Sequence, residues 1–161
     1  MNIEEKQIKK QAVPMEELFK VIRLQLENGG RARLTVTGSS MMPLFRNRRD
    51  TVELIPVSRK QERGQIILYR RESGQFVLHR IVKLTDTGYI CCGDNEANPE
   101  PVNHGQLLAV VDGYTRKGKE GSLNSFGYRF YVFLWIHLFF LRRPYIALRR
   151  FCGKIKNLMI R

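Results

Sequence analysis

From residue 31 the apolar residues fall at alternate positions, in short runs broken by turn residues, as far as residue 111. This pattern constrains the fold more than any other feature, because a period of two belongs to strands and not to helices. The runs are residues 33–37 (RLTVT), 51–56, 65–70 (QIILYR), 75–84 (QFVLHRIVKL), 89–92 and 107–111. Ser73-Gly74 predicts a hairpin connection across residues 70–75, and Gly38-Ser39-Ser40 a turn at a strand end. Residues 94–105, with Pro99 and Pro101, read as a polar loop. The expectation is a mainly β fold: an antiparallel β-domain with a leading helix and a basic, hydrophobic C-terminal helical segment.

The leading helix is predicted over residues 14–28. Pro14 suits its first turn, Glu16 and Glu17 suit its positive end, and Asn28-Gly29-Gly30 stops it. Leu18, Val21, Ile22 and Leu26 form its apolar stripe. The chain divides into an N-terminal segment (residues 1–30), a β-domain (31–113) and a tail (114–161).

Charge separates the tail from the rest. The whole chain has 28 Lys and Arg against 15 Asp and Glu, a net charge of +13. Residues 114–161 hold 11 of those basic groups and a single acid, Glu120, so most of the excess lies there. Residues 130–141 read FYVFLWIHLFFL, interrupted only by His137, with Arg129 before and Arg142 and Arg143 after. Residues 145–160 then mix Ile146, Leu148, Phe151 and Ile155 with Arg149, Arg150, Lys154 and Lys156. Aromatic rings beside Lys and Arg, almost without acid, fit a helix lying on an anionic membrane surface. The competing reading is a helix buried against the β-domain; nucleic acid is not expected as a partner. No run of 18 apolar residues occurs, so a plain spanning helix is not expected. Residues 1–12 are polar and do not read as a signal peptide, so the expectation is membrane association from the cytoplasmic face.

A charged fraction of 27% and a hydrophobic fraction of 43% exclude a wholly disordered chain. Three cysteines exclude a disulfide scaffold, and Cys91-Cys92 reads as a pair of small buried hydrophobes in a strand. The three histidines lack metal-ligand spacing, so no metal or other cofactor is implied.

The candidate chemistry lies in three places. His79 sits mid-strand in FVLHRIV, where apolar neighbours favour the neutral imidazole that a general base needs. Gly38-Ser39-Ser40-Met41-Met42-Pro43 puts two hydroxyls on a tight turn, with Met41 and Met42 as an apolar wall. A nucleophilic serine needs such an exposed position, a base, and donors aimed at the oxyanion. Gly93-Asp94-Asn95 follows a strand directly, and Glu100 lies six residues beyond Asp94. Either carboxylate, Asp94 or Glu100, could orient the imidazole.

Taken together, GSSMMP, the strand FVLHRIV and GDN resemble the signal peptidase I superfamily of serine peptidases, the broad group shared with LexA-type autoproteases. The resemblance covers about residues 14–113. Gly38, Ser40, Met41 and Pro43 match its Gly-x-Ser-Met-x-Pro box. His79-Arg80 matches the His-Arg pair of the archaeal and endoplasmic-reticulum branch, whose base is histidine rather than lysine. Arg49-Asp50 and Gly64-Gln65 stand where the family has Gly-Asp. The resemblance implies a serine endopeptidase that cleaves a leader or signal segment from a peptide or preprotein. It implies Ser40 as nucleophile, His79 as base, Asp94 or Glu100 as the third member, and Ser39 with the Ser40 N–H at the oxyanion. The alternatives are a membrane-associated β-domain that binds peptides without cutting them, and an autoproteolytic regulator of the LexA type. Residues 1–30 are too short for the DNA-binding module that the last would need.

Overall fold

A computed structural model describes residues 15–58, 60–141 and Pro144. The polar N-terminal residues, Arg142, Arg143 and the basic stretch of residues 145–160 lie outside the described residues. Helix α1 (Met15–Glu27) leads into strands β1 (Ala32–Thr35), β2 (Thr51–Ile55), β3 (Ile66–Arg70) and β4 (Phe76–Leu84). Strands β5 (Gly88–Cys92), β6 (Glu100–Asn103), β7 (Leu107–Arg116) and β8 (Lys119–Gly121) follow, and helix α2 (Phe126–His137) comes after them. The fold is mainly β. All eight strands form one sheet in the order β1-β2-β7-β3-β4-β5-β6, with β8 paired to β7, and every pairing is antiparallel.

The sheet buries side chains on both faces. Leu34, Val52, Leu54, Ile66, Leu68, Ala109 and Val111 point to one side, where Ile22 and Leu26 of α1 and Met41, Leu44 and Phe45 of the loop after β1 cover them. Ile67, Tyr69, Val77, Ile81, Tyr89, Cys91 and Val102 form a second cluster. Each fully buried large side chain stabilises the fold by roughly 1.5–3 kcal/mol. Cys91 and Cys92 are buried in β5. Burial, with Glu100 and Cys92 nearby, pushes the Cys91 thiol up to about 12, which leaves it inert.

Three sequence expectations need correction. Val21 is 58% exposed, and Phe19 takes its place against the sheet by packing on Phe76 at 4.7 Å between ring centroids. The contact face of α1 is therefore Leu18, Phe19, Ile22 and Leu26. Residues 100–103 are a strand, not loop: β6 pairs β5 as the outermost strand, and an edge tolerates the missing N–H of Pro101. Strand β7 runs on to Arg116, so the boundary at residue 113 falls inside a strand, and the tail contributes the end of β7 and all of β8 to the sheet.

A second anchor ties the β1–β2 connection to the β7–β8 turn. Asp50 is fully buried and accepts from the Arg46 and Lys117 backbone N–H groups and from the Arg49 guanidinium. Burial alone would raise its pKa; these donors overcome that and hold it at about 2.

Candidate active site

Strand pairing builds the site. Ile67 lies opposite His79 and Tyr69 opposite Val77, so Tyr69 and His79 are diagonal neighbours on one face of β3 and β4. Cys91 lies opposite Glu100, which brings the first residue of β6 towards the same face. The Tyr69 hydroxyl donates to Glu100 Oε1 at 2.5 Å and stands 3.0 Å from His79 Nδ1. Glu100 Oε1 is itself 3.4 Å from Nδ1. An ionised carboxylate can only accept, so the phenol proton goes to Glu100 and the phenol oxygen is left to accept from Nδ1–H. This arrangement selects the tautomer with its lone pair on Nε2.

Nε2 faces the serine turn. A Cβ added to Gly93 would lie 3.0 Å from His79 Nε2, 3.1 Å from Ser40 Cβ and 2.7 Å from the Ser40 carbonyl oxygen. Serine and imidazole therefore meet at the bare face of Gly93, and any side chain there would force them apart. The Asn95 N–H donates to the Ser40 carbonyl at 2.6 Å, which ties the serine turn to the loop after β5. Gly38, at φ +81°, makes the turn, and its N–H is taken by Asn47 Oδ1 at 3.0 Å. Ser40 is half-buried and Ser39 exposed.

The two acids proposed from sequence part company. Asp94 is fully buried and makes a two-pronged ion pair with Arg80 at 2.9 and 2.7 Å. Arg80 follows His79 in the strand, so its side chain leaves from the opposite face. Tyr131 of α2 donates to Asp94 Oδ2, Trp135 of α2 donates to the Asp94 carbonyl, and Tyr128 Oη accepts from Arg80. Asp94 thus anchors α2, whereas Glu100 touches the imidazole. Glu100 is also held by Arg71 through both carboxylate oxygens. Burial opposes its ionisation, but the hydrogen bonds from Arg71 and Tyr69 prevail and keep its pKa below the usual carboxylate value.

Burial dominates at His79. It drives the imidazole pKa below its ordinary 6.5, against the opposing pull of Glu96, Glu100 and Asp94. The ring is therefore neutral at pH 7. The sequence reading missed Tyr69, Arg71 and Glu96. Glu96 Oε2 lies 3.4 Å from Nε2, on the serine side of the ring.

A groove of about 380 Å³ runs past these groups. One wall is formed by residues 34–41, including Ser39, Ser40 and Met41, and the other by residues 75–79, including His79. Met42 does not line it. Strand β1 ends the sheet, and β4 pairs with β5 only from Arg80 onward. Two strand edges thus face one groove that contains Ser40 and His79.

The outer face of α2 is exposed. Tyr128, Tyr131, Val132, Trp135 and Ile136 face the β-domain, and Val132 and Ile136 pack on Gly64. Phe126, Phe130 and Phe133 face solvent, with Phe126 84% exposed. No described helix is long and apolar enough to cross a membrane.

No family model matches the chain, and no curated protein matches it.

Proposed function

We propose that the protein is a serine endopeptidase, similar in its site to the histidine-type signal peptidases. One observation carries this reading: Ser40 and the unprotonated nitrogen of His79 converge on Gly93, and the other ring nitrogen is held by a Tyr69–Glu100 pair. A buried imidazole with one nitrogen so fixed and the other aimed at a serine is the arrangement that nucleophilic catalysis requires.

An extended substrate lies in the groove and hydrogen-bonds to the strand edge at residues 76–79. Ser40 Oγ attacks the scissile carbonyl while His79 Nε2 takes its proton. The Glu100 carboxylate, through Tyr69 and directly, stabilises the imidazolium that forms. The Ser40 N–H and the Ser39 hydroxyl hold the oxyanion, an interaction of roughly 3 kcal/mol. Gly38 is not a donor, because its N–H is already bonded to Asn47. The imidazolium then protonates the leaving amine, and the same base activates water to release the acyl group from Ser40. The hydroxyl of Ser40 makes no hydrogen bond to the ring in this structure; sites of this kind tighten when substrate arrives.

The exposed face of α2 is where the chain meets an anionic lipid surface from the cytoplasmic side. Phe126, Phe130 and Phe133 supply the apolar contact, and Arg129 and the basic tail supply the charge. The substrate is a leader or signal segment presented at that surface. Peptide hydrolysis by the purified protein, lost in both Ser40→Ala and His79→Ala, tests the reading. Hydrolysis that survives either substitution overturns it.

A further inference from the structure

Glu96 has no role in the catalytic steps above, yet it stands 3.4 Å from the nitrogen that performs them. Its position follows from the loop after β5. The Glu96 N–H donates to the Gly93 carbonyl, closing a tight turn that projects the side chain over the serine side of the imidazole. The side chain remains 39% exposed and lines the groove.

The charge around it is unbalanced. Among the described residues, its one ion-pairing neighbour is His79, which is neutral in the resting site. The nearest groove-lining cation, Arg71, is already engaged by Glu100 through both carboxylate oxygens. Arg71 also feels the Glu96 carboxylate, but one guanidinium against Glu96 and Glu100 leaves a net negative charge beside the groove.

Mechanism fixes which part of a substrate meets that charge. Nε2 must hand its proton to the leaving amine, so the amine lies against Nε2 during the reaction. A group 3.4 Å from Nε2 on its open side borders the residue that carries that amine.

Resting on the peptidase reading above, we infer that Glu96 is a specificity determinant that selects Lys or Arg immediately after the cleaved bond. The basic side chain pairs with the carboxylate, which offsets the negative charge beside the ring. A half-exposed pair of this kind supports a preference of about twofold to fivefold in kcat/KM.

The test uses the full chain in detergent and a mixed peptide library of natural sequences, with the new N-termini identified by mass spectrometry. Wild type should yield termini enriched in Lys and Arg. The exposed position lets Glu96→Lys fold, and that variant should reverse the preference towards Asp and Glu, with Glu96→Gln neutral. Ser40-dependent cleavage with the same terminal residues in wild type and Glu96→Lys overturns this inference and leaves the peptidase reading standing. The absence of any Ser40-dependent cleavage overturns both.

Discussion

The Tyr69 hydroxyl lies 3.0 Å from Nδ1 of His79 and donates to Glu100 Oε1, which closes a triangle by lying 3.4 Å from the same nitrogen. A tyrosine that donates to the acid and accepts from the base transmits the carboxylate's charge without direct hydrogen bonding between acid and base. It also fixes the tautomer, the task the acid performs alone in a simple triad.

Removing that hydroxyl should therefore cost activity without unfolding the protein. Tyr69→Phe keeps the ring in the core and deletes only the relay. We expect kcat/KM to fall on the order of tenfold to a hundredfold, a part of the roughly hundredfold to ten-thousandfold that a positioned base contributes. An unchanged kcat/KM in a folded Tyr69→Phe protein would contradict the relay.

The two carboxylates should fail differently. Glu100→Gln should lower kcat strongly with little change in Tm, because Arg71 keeps a hydrogen-bonding partner. Asp94→Asn leaves the fully buried Arg80 without its counter-charge, which costs about 3–5 kcal/mol and should appear as a large drop in Tm. Parallel thermal melts and kinetics separate the two; a Tm loss confined to Glu100→Gln would reverse the assignment.

The pH dependence follows from His79. Its folded pKa lies below 6.5, so the active neutral ring persists below that pH. The acid limb of kcat/KM should have its midpoint below 6.5. Glu100 pulls that pKa upward, so the residual activity of Glu100→Gln should lose its acid limb at a still lower pH. The same group links to stability. The unfolded chain binds more protons at this position between the two pKa values, so its contribution is complete above 6.5 and is lost as pH falls through the folded value. A midpoint at or above 6.5 would contradict the buried neutral base.

Gly93 should tolerate no side chain. A Cβ 2.7 Å from the Ser40 carbonyl must displace backbone, and with it the nucleophile. We expect Gly93→Ala to lose about a hundredfold in kcat/KM, the usual cost of a misplacement near 1 Å. Wild-type kinetics in that variant would show that Ser40 and His79 need not meet there.

Lipid binding is best tested on the exposed face of α2, because a chain ended at Tyr114 would lose strand pairs of β7 and the whole of α2. Replacing Phe126, Phe130 and Phe133 with serine should weaken sedimentation with phosphatidylglycerol vesicles while leaving Tm within a few degrees. Equal sedimentation of both proteins would remove this face as the contact.

Much of this was legible in the residues. Alternation marked the strands; the Gly-Ser-Ser and Gly-Asp-Asn turns singled out Ser40 and Asp94, the strand FVLHRIV singled out His79, and Glu100 came only from its spacing after Asp94. The pairing register was not legible: nothing in QIILYR distinguishes Tyr69 as a partner of His79 until Ile67 is placed opposite it. Glu96 was hidden for a related reason, since a tight turn and not a periodic element aims it. Asp94 and Glu100 could not be ranked from spacing, because the strand alternation that sends Arg80 away from His79 also takes Asp94 with it. Strand β6 was masked by Pro101, which an edge position permits.

The most direct measurement is intact-mass analysis of the purified protein after exposure to an acylating serine probe, for wild type, Ser40→Ala and His79→Ala. A single acyl adduct, mapped to Ser40 and lost in both variants, is the predicted result. An unmodified wild-type protein under conditions that fully acylate a control serine peptidase, or an adduct that persists in His79→Ala, would contradict an activated serine at this site.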